Sequence, residues 1–350
     1  MTIIDRSQDF IERGQELCDY PFMHILLPGG SGQVGTILAR HLTGAGHDVT
    51  VLSRTPKPAP WKTLAWDGIN EGPWVSALHS ADAVIGLSGR IVNTRYTPKH
   101  RREIMDSRIV PTRLLNRLIA ASPTPPRVWL NASTATIYRD ARDHSQDEFT
   151  GELGDRSYER GTREPASLGE TYSFSVDVGA RWEDAFFADA LPRTTRIALR
   201  TSLVMASNPG GFFSIFSRIA RLGLGGTQGR GDQRLSWIHE HDFARAIDLL
   251  LAHPEVADDT KGIVNLTAPE APTNREFMRT LRSAWHIPIG IPAPEFVMRP
   301  ALWVMRSEPE LVFKSRWVAP GVLLKHGFRF EYPSWQSAAA DLVVRSNAAQ

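Results

Sequence analysis

Between His24 and Leu42 the chain reads HILLPGGSGQVGTILARHL, with four glycines, Gly29, Gly30, Gly32 and Gly35, in seven residues. An apolar run precedes them. Apolar side chains at helical spacing, Val34, Ile37, Leu38 and Leu42, follow them. Glycines let a backbone turn tightly and approach a phosphate without a Cβ in the way. A helix that starts at such a turn offers free N–H groups and a partial positive charge. The pattern reads as Gly30-x-Gly32-x-x-Gly35 or as Gly29-x-x-Gly32-x-x-Gly35. Either spacing makes Gly29, Gly30, Ser31, Gly32, Gln33, Val34 and Gly35 candidates for lining the pyrophosphate of a dinucleotide. In NAD-binding turns a carboxylate at the end of the second strand takes the ribose hydroxyls. Here VLSRTP carries Ser53 and Arg54, and no Asp or Glu follows until Asp67. A hydroxyl and a guanidinium suit a 2′-phosphate, so the expected cofactor is NADP (NADPH) rather than NAD.

These residues need a scaffold, and the chain patterns one. HILLP, HDVTVLS, WKTLAW, ADAVIGLSG, PRVWLNAS and TTRIALR read as six short strands. RREIMDSRIVPTRLLNRLIAA reads as a long helix with Pro111 inside it, and RWEDAFF belongs to a helix between the fifth and sixth strands. Alternating strands and helices predict an α/β fold with a parallel sheet covered on both faces. Further on, GLGGTQGRGD is a glycine-rich loop, HDFARAIDLLLAH an amphipathic helix and KGIVNLT a seventh strand. TNREFMRTLRSAWH is a helix capped by Thr273 or Asn274, and IPIGIPAPEFVMRPA wraps a smaller lobe. The expected division is an N-terminal extension (1–22), a nucleotide-binding domain (23–200, joined by 240–268) and a C-terminal substrate lobe (201–239 and 269–350).

Composition narrows the function classes. The 350 residues are 42% hydrophobic and 22% charged, as in a soluble globular protein. No apolar run is long enough to span a membrane, and the polar start lacks the pattern of a signal peptide. A formal charge of +2 gives no case for nucleic acid. One cysteine, Cys18, excludes an internal disulfide and a cysteine metal site, and it fits a reducing cytoplasm. His239 and His241 in SWIHEHD lack the i, i+4 spacing of a helical zinc site. They read as structural, with Asp242 as a helix N-cap, and no metal is expected. The ten tryptophans read as core and pocket lining. The expected partner is a small-molecule substrate, with a homodimer left open.

Several segments together resemble one family. GGSGQVG stands where it reads GGTGFIG, SR follows the second strand, GLSG (86–89) replaces an NLAG-like segment, and RYTPKHRREIMDSR (95–108) resembles RWT…EI..SR. GLGGTQGRGDQRLSWIHEHD, VNLTAPEAPTNREF and HGFRFEYP are further signatures. The chain thus resembles the atypical extended short-chain dehydrogenase/reductases, in the NAD-dependent epimerase/dehydratase group with a C-terminal domain of unknown function. The resemblance covers about residues 23–345 and implies a Rossmann-type doubly wound parallel sheet with a smaller C-terminal substrate lobe. It implies that Leu87 and Ser88 flank the adenine–ribose side and that Glu103 and Arg108 lie near the cofactor. It also implies that Asn131 to Ser133 lie by the nicotinamide and that Leu203 follows the sixth strand there.

The chain departs from that superfamily at its usual catalytic pair, Tyr-x-x-x-Lys. The residues four before its six lysines are Ser53, Pro58, Arg95, Ala257, Glu310 and Gly321, and none is tyrosine. In FSVDVGARWEDAF, Ser175 and Gly179 fall where the pair would sit. NASTATIYRD replaces a segment like SASAVGYYG and keeps hydroxyls at Ser133 and Tyr138. These are the candidate catalytic residues: Ser133 to hydrogen-bond a substrate oxygen, and Tyr138 or a bound water to supply a proton. Tyr138 needs a nearby cation to lower its pKa, and Arg139 and Arg142 are the nearest in sequence. The expected function is an NADP(H)-dependent oxidoreductase or epimerase acting on a small carbonyl or hydroxyl compound. The alternatives are a non-enzymatic NADP-binding sensor or scaffold and a non-redox isomerase or dehydratase on the same fold.

Overall fold

A computed structural model describes residues 21–156, 168–304 and 308–348. Most of the expected N-terminal extension, Cys18 included, lies outside the described residues. The strands are β1 (His24–Pro28), β2 (Asp48–Ser53), β3 (Lys62–Ala65), β4 (Ala83–Gly86), β5 (Val128–Thr134), β6 (Thr195–Thr201), β7 (Leu203–Met205), β8 (Trp237–His239) and β9 (Ile263–Leu266). The helices of the first half are α1 (Gln33–Gly44), α2 (Val75–His79), α3 (Pro98–Ala121) and α4 (Leu168–Phe186). Those of the second are α5 (Phe212–Arg221), α6 (Glu240–Ala252), α7 (Asn274–Ala284), α8 (Glu295–Val304), α9 (Glu310–Phe313), α10 (Gly321–Lys325) and α11 (Trp335–Ala348).

Seven strands form one parallel sheet in the order β3-β2-β1-β4-β5-β6-β9. The chain winds one way from β1 to β3 and the other way from β4, which puts the switch point between β1 and β4. Ligands of such sheets bind at that crevice, beyond the carboxyl ends of the strands. The pleat sorts the side chains onto two faces. Ile25, Leu27, Val51, Ile85 and Leu130 meet Ile37 and Leu38 of α1 and Ile247 and Leu250 of α6. Leu26, Leu52, Val84 and Trp129 meet Leu114, Leu115 and Leu118 of α3 and Phe186 of α4. Both faces are buried, which is why the strands read as short continuous apolar runs.

A third core joins α5, α7 and α11, with Phe213, Met278 and Leu342 in it. At its centre Trp335 lies flat on Phe277, ring centroids 4.1 Å apart and planes 10° apart, with Trp237 edge-on. Here β7 and β8 pair in parallel, two strands that the periodicity did not announce. The C-terminal segment also returns to the sheet: Val322, Leu323 and Phe328 sit in the first core. The 269–350 stretch therefore does not stand apart as one lobe.

Local capping departs from expectation at one helix and resolves it at another. The N-cap of α6 is His239, whose imidazole accepts the His241 N–H at 3.1 Å, and not Asp242. Asp242 is fully buried, and it accepts the backbone N–H groups of Glu331 and Tyr332 at 2.8 Å each. That bond pair ties the C-terminal segment to α6. At α7 the cap is Thr273, in a capping box with Glu276. Replacing a Thr cap removes a partner from otherwise orphaned N–H groups. Thr273→Ala is expected to lower stability by about 1 kcal/mol in a urea unfolding titration, with the slope unchanged.

Candidate functional site

The turn between β1 and α1 has the shape of an anion cradle. Gly29 has φ +77°, and a Cβ there would lie 2.7 Å from the Ser88 Cα, so glycine is required twice over. A Cβ on Gly35 would land on the Gly30 backbone, so α1 sits closer to the turn than any other residue allows. Gly32 is the N-cap. It gives α1 no side-chain cap, the first turn holds no acidic residue, and the space at its Cβ position is empty. Ser31 and Gly32 are exposed, and Gln33 and Val34 are half-buried. The Gln33 amide nitrogen is buried with no partner among the described residues, and its carboxamide lies against Gly211 at the start of α5. Open N–H groups, an orphaned amide donor and a backbone stripped of side chains fit a pyrophosphate.

At the end of β2, Ser53 is buried and its Oγ accepts the Thr55 N–H at 3.3 Å. Arg54 is exposed and makes no ion pair among the described residues. The neighbouring strand brings Asp67 to the same edge, because Ser53 pairs with Ala65. Its carboxylate is already used, accepting the Ile69 and Asn70 N–H groups at 2.8 Å each, and these bonds depress its pKa. This end therefore offers a free cation and a hydroxyl.

The loop after β4 covers the turn. Leu87 donates its N–H to the Pro28 carbonyl at 2.8 Å, and Ser88 rests on Gly29. Glu103 and Arg108 act on this loop. Arg108 donates to the Arg90 carbonyl at 3.1 Å and to the Ile104 carbonyl at 2.9 Å, over the face of Trp182. Burial lowers its pKa to about 10, so it stays charged at neutral pH. Glu103 pairs with Arg90. Both residues hold this loop, Arg108 also lying against Gly89. Leu203 opens β7 and packs, partly buried, against the third core.

The two candidate catalytic hydroxyls are committed elsewhere. Ser133 is buried and donates to Glu183 of α4 at 2.6 Å. Glu183 takes a two-pronged ion pair from Arg200 of β6, at 2.9 and 2.8 Å. The third Arg200 branch donates to the Tyr138 hydroxyl at 2.9 Å. That hydroxyl lies 3.0 Å from the Asn265 side-chain oxygen and 3.1 Å from the Asp147 carbonyl. Tyr138 is buried, and burial raises its pKa despite Arg200. Arg139 and Arg142, the expected activating cations, pair with Asp143, Glu152 and Asp232 instead. The Tyr138 hydroxyl thus has hydrogen-bond partners within the protein, and Ser133 serves a buried ion pair.

Other polar groups gather where α4 meets the end of β5. Gly179 of α4 packs on Thr134 and Ile137, so the Ser175–Gly179 stripe looks onto the end of β5. Thr134 is half-buried, and its Oγ1 accepts the Thr136 N–H at 3.2 Å. Ser175 contacts the Glu310 carboxyl. Lys314 donates to the Thr136 carbonyl at 2.7 Å and lies 3.8 Å from Glu310. Glu310 and Lys314 were missed as site residues, although Glu310 stands four before a lysine in the sequence.

The sheet order, the uncapped glycine turn and the switch-point crevice define a Rossmann-type protein of the short-chain dehydrogenase/reductase kind. Residues 25–164 match the NAD dependent epimerase/dehydratase family, and residues 293–342 match a domain of unknown function, DUF1731. The epimerase family protein SDR39U1 of Bos taurus is 30% identical over 328 residues, 92% of this chain and 100% of its own length. An epimerase family protein of Staphylococcus haemolyticus is 30% identical over 319 residues, 91% of this chain and 98% of its own. The crystal structure of human SDR39U1 with NADPH matches with a TM-score of 0.75 at 26% identity, over 91% of this chain and 99% of that one. The chain belongs to the NAD-dependent epimerase/dehydratase family.

Two predictions follow from the buried network. Tyr138→Phe leaves Arg200 and Asn265 each short of a partner, so it is expected to cost about 1–3 kcal/mol in urea unfolding and leave NADPH affinity unchanged. The second concerns Glu148, which accepts the Asn265 N–H at 2.7 Å and the Val322 N–H at 3.3 Å. Burial raises its pKa from 4.5 to about 7. A raised carboxyl pKa favours the folded state below the unfolded value, and that stability is lost as pH rises through the folded one. The Glu148 contribution to the unfolding free energy is therefore expected to fall by up to about 3 kcal/mol between about pH 4.5 and 7, read as the difference between the pH profiles of the parent protein and Glu148→Gln.

Proposed function

We propose that this chain is an NADP(H)-dependent oxidoreductase or epimerase that acts on a small carbonyl or hydroxyl compound. The observation that carries the cofactor choice is the unpaired Arg54 beside Ser53, with the one nearby carboxylate, Asp67, locked in its own turn. Arg54 and Ser53 bind the 2′-phosphate through charge-assisted hydrogen bonds. The Gly29–Gly35 backbone and the first turn of α1 hold the pyrophosphate, with Gln33 closing over it from the α5 side. When bound, the nicotinamide supplies the hydride chemistry. Thr134 and Ser175 stand at the end of β5 where a substrate oxygen is to be oriented. The 308–316 segment packs beside this end, through Glu310 on Ser175 and Lys314 on the Thr136 carbonyl. The NADPH bound to human SDR39U1 supports the same cofactor here.

Titration with NADPH and NADH, followed by nicotinamide fluorescence, tests the reading. NADPH is expected to bind more tightly. Arg54→Ala is expected to weaken NADPH about tenfold or more, the loss of one charge-assisted contact, and to leave NADH unchanged. Equal affinities for the two nucleotides in the parent protein would overturn the role of Arg54.

A further inference from the structure

The acid–base pair missing from α4 has a counterpart on another segment. Glu310 and Lys314 are one turn apart, and both are buried against α4. Glu310 meets Ser175, the residue at the position where the tyrosine of the usual pair would fall.

The hydrogen bonding around Ser175 locates a proton. Its Oγ is in contact with a Glu310 carboxyl oxygen and lies 3.0 Å from the Tyr172 carbonyl. A hydroxyl has one proton to give. With Glu310 ionised, both neighbours are acceptors and one goes unserved. With Glu310 protonated, both bonds form: the Glu310 O–H donates to Ser175, and the Ser175 O–H donates to the Tyr172 carbonyl. The other Glu310 oxygen, Oε2, is buried and has no hydrogen-bond partner among the described residues. A neutral carbonyl oxygen bears that at far lower cost than a carboxylate. Lys314 Nζ is too distant, at 3.8 Å, to hydrogen-bond Glu310, and it spends a proton on the Thr136 carbonyl instead.

The other charged and titratable groups facing this pair are Arg316, 3.7 Å from Glu310, together with Glu308, Asp140, Tyr96 and Tyr172. Burial raises the pKa of Glu310 and lowers that of Lys314 to about 8, which brings the two groups toward each other.

We propose that Glu310 is the proton store of this pocket and Ser175 its relay, with Lys314 as the cation that stabilises the carboxylate once the proton has left. Ser175 is half-buried and Glu310 fully buried, so the hydroxyl is the more exposed of the two. In the reductive direction the co-reactant is a reduced nicotinamide nucleotide, whose hydride makes a substrate carbonyl into an alkoxide. The Ser175 O–H bond breaks as the substrate O–H bond forms. The Glu310 proton then refills Ser175, leaving a carboxylate beside the Lys314 ammonium, and solvent reprotonates the acid before the next cycle. This step rests on the oxidoreductase reading, whereas the stored proton does not.

Infrared spectroscopy of the whole protein tests it without a substrate. At about pH 8, above the Glu148 value, a protonated-carboxyl C=O band is expected in the parent protein and absent from Glu310→Gln. On transfer to D2O that band is expected to shift at least tenfold more slowly in Ser175→Ala, because the relay is gone. Should Glu310→Gln not fold, Ser175→Ala alone decides: loss of the hydrogen bond must raise the band frequency and slow the exchange. No such band in the parent protein, or equal exchange with and without the serine hydroxyl, overturns the proposal. The NADPH titration is independent of it. NADPH binding with no acid band removes the relay and keeps the oxidoreductase reading, and the band without NADPH binding does the reverse.

Discussion

The carboxyl edge of the sheet is held by one buried ion pair, Glu183 with Arg200. All three branches of the guanidinium are used, two on Glu183 and one on Tyr138. Each partner comes from a different element: α4, β6 and the loop after β5. Asn265 of β9 and the Asp147 loop join through the Tyr138 hydroxyl, and Ser133 of β5 joins through Glu183. Desolvating two charges is expensive, and mutual attraction offsets it only with good geometry and satisfied remaining hydrogen bonds. That condition is met here. Breaking such a pair by removing one partner costs about 3–5 kcal/mol, so the end of β5 is fixed where a reacting group would need to be fixed.

The glycine turn imposes the complementary constraint at the other end of the crevice. Gly29 and Gly35 fill places where a side chain would strike Ser88 or Gly30, so the loop after β4 and the start of α1 close on the turn. The loop is in turn held by Arg108, which keeps its charge although buried because it spans two carbonyls and an indole face. Close approach of backbone to backbone leaves the first N–H groups of α1 uncovered. An uncapped helix end is a cost to folding that a bound anion removes.

The sheet was legible in the sequence because strands buried on both faces read as short apolar runs, as in β1 (HILLP) and β4 (AVIG), while β3 (KTLA) at the sheet edge is only partly buried. β7 and β8 were not, since three residues carry no period and their partners lie 34 positions apart along the chain, Leu203 with Trp237. The glycine turn was legible because it is formed by residues next to one another in the chain. The partners of Ser133 and Tyr138 were not legible, because sequence gives the position of a hydroxyl but not what it faces. The pleat of β5 turns Ser133 toward Glu183, and Thr134, one residue on, faces the other way toward the loop. The choice of Arg139 and Arg142 failed likewise, because the cation at Tyr138 is 62 residues away on β6.

Glu310 and Lys314 show how far that limit extends. Helical spacing, i to i+4, was visible between them, and it is the spacing of the absent pair with glutamate in place of tyrosine. Nothing local says that they face α4, since Ser175 is 135 residues earlier in the chain. A tyrosine–lysine pair on α4 would carry its acid and its cation on one helix face. Here α4 keeps only a hydroxyl and a glycine, and the acid and the cation arrive on the segment that covers the pocket. The covering segment is then a source of chemistry as well as a wall, and the acid–base groups are complete only when it is seated on α4.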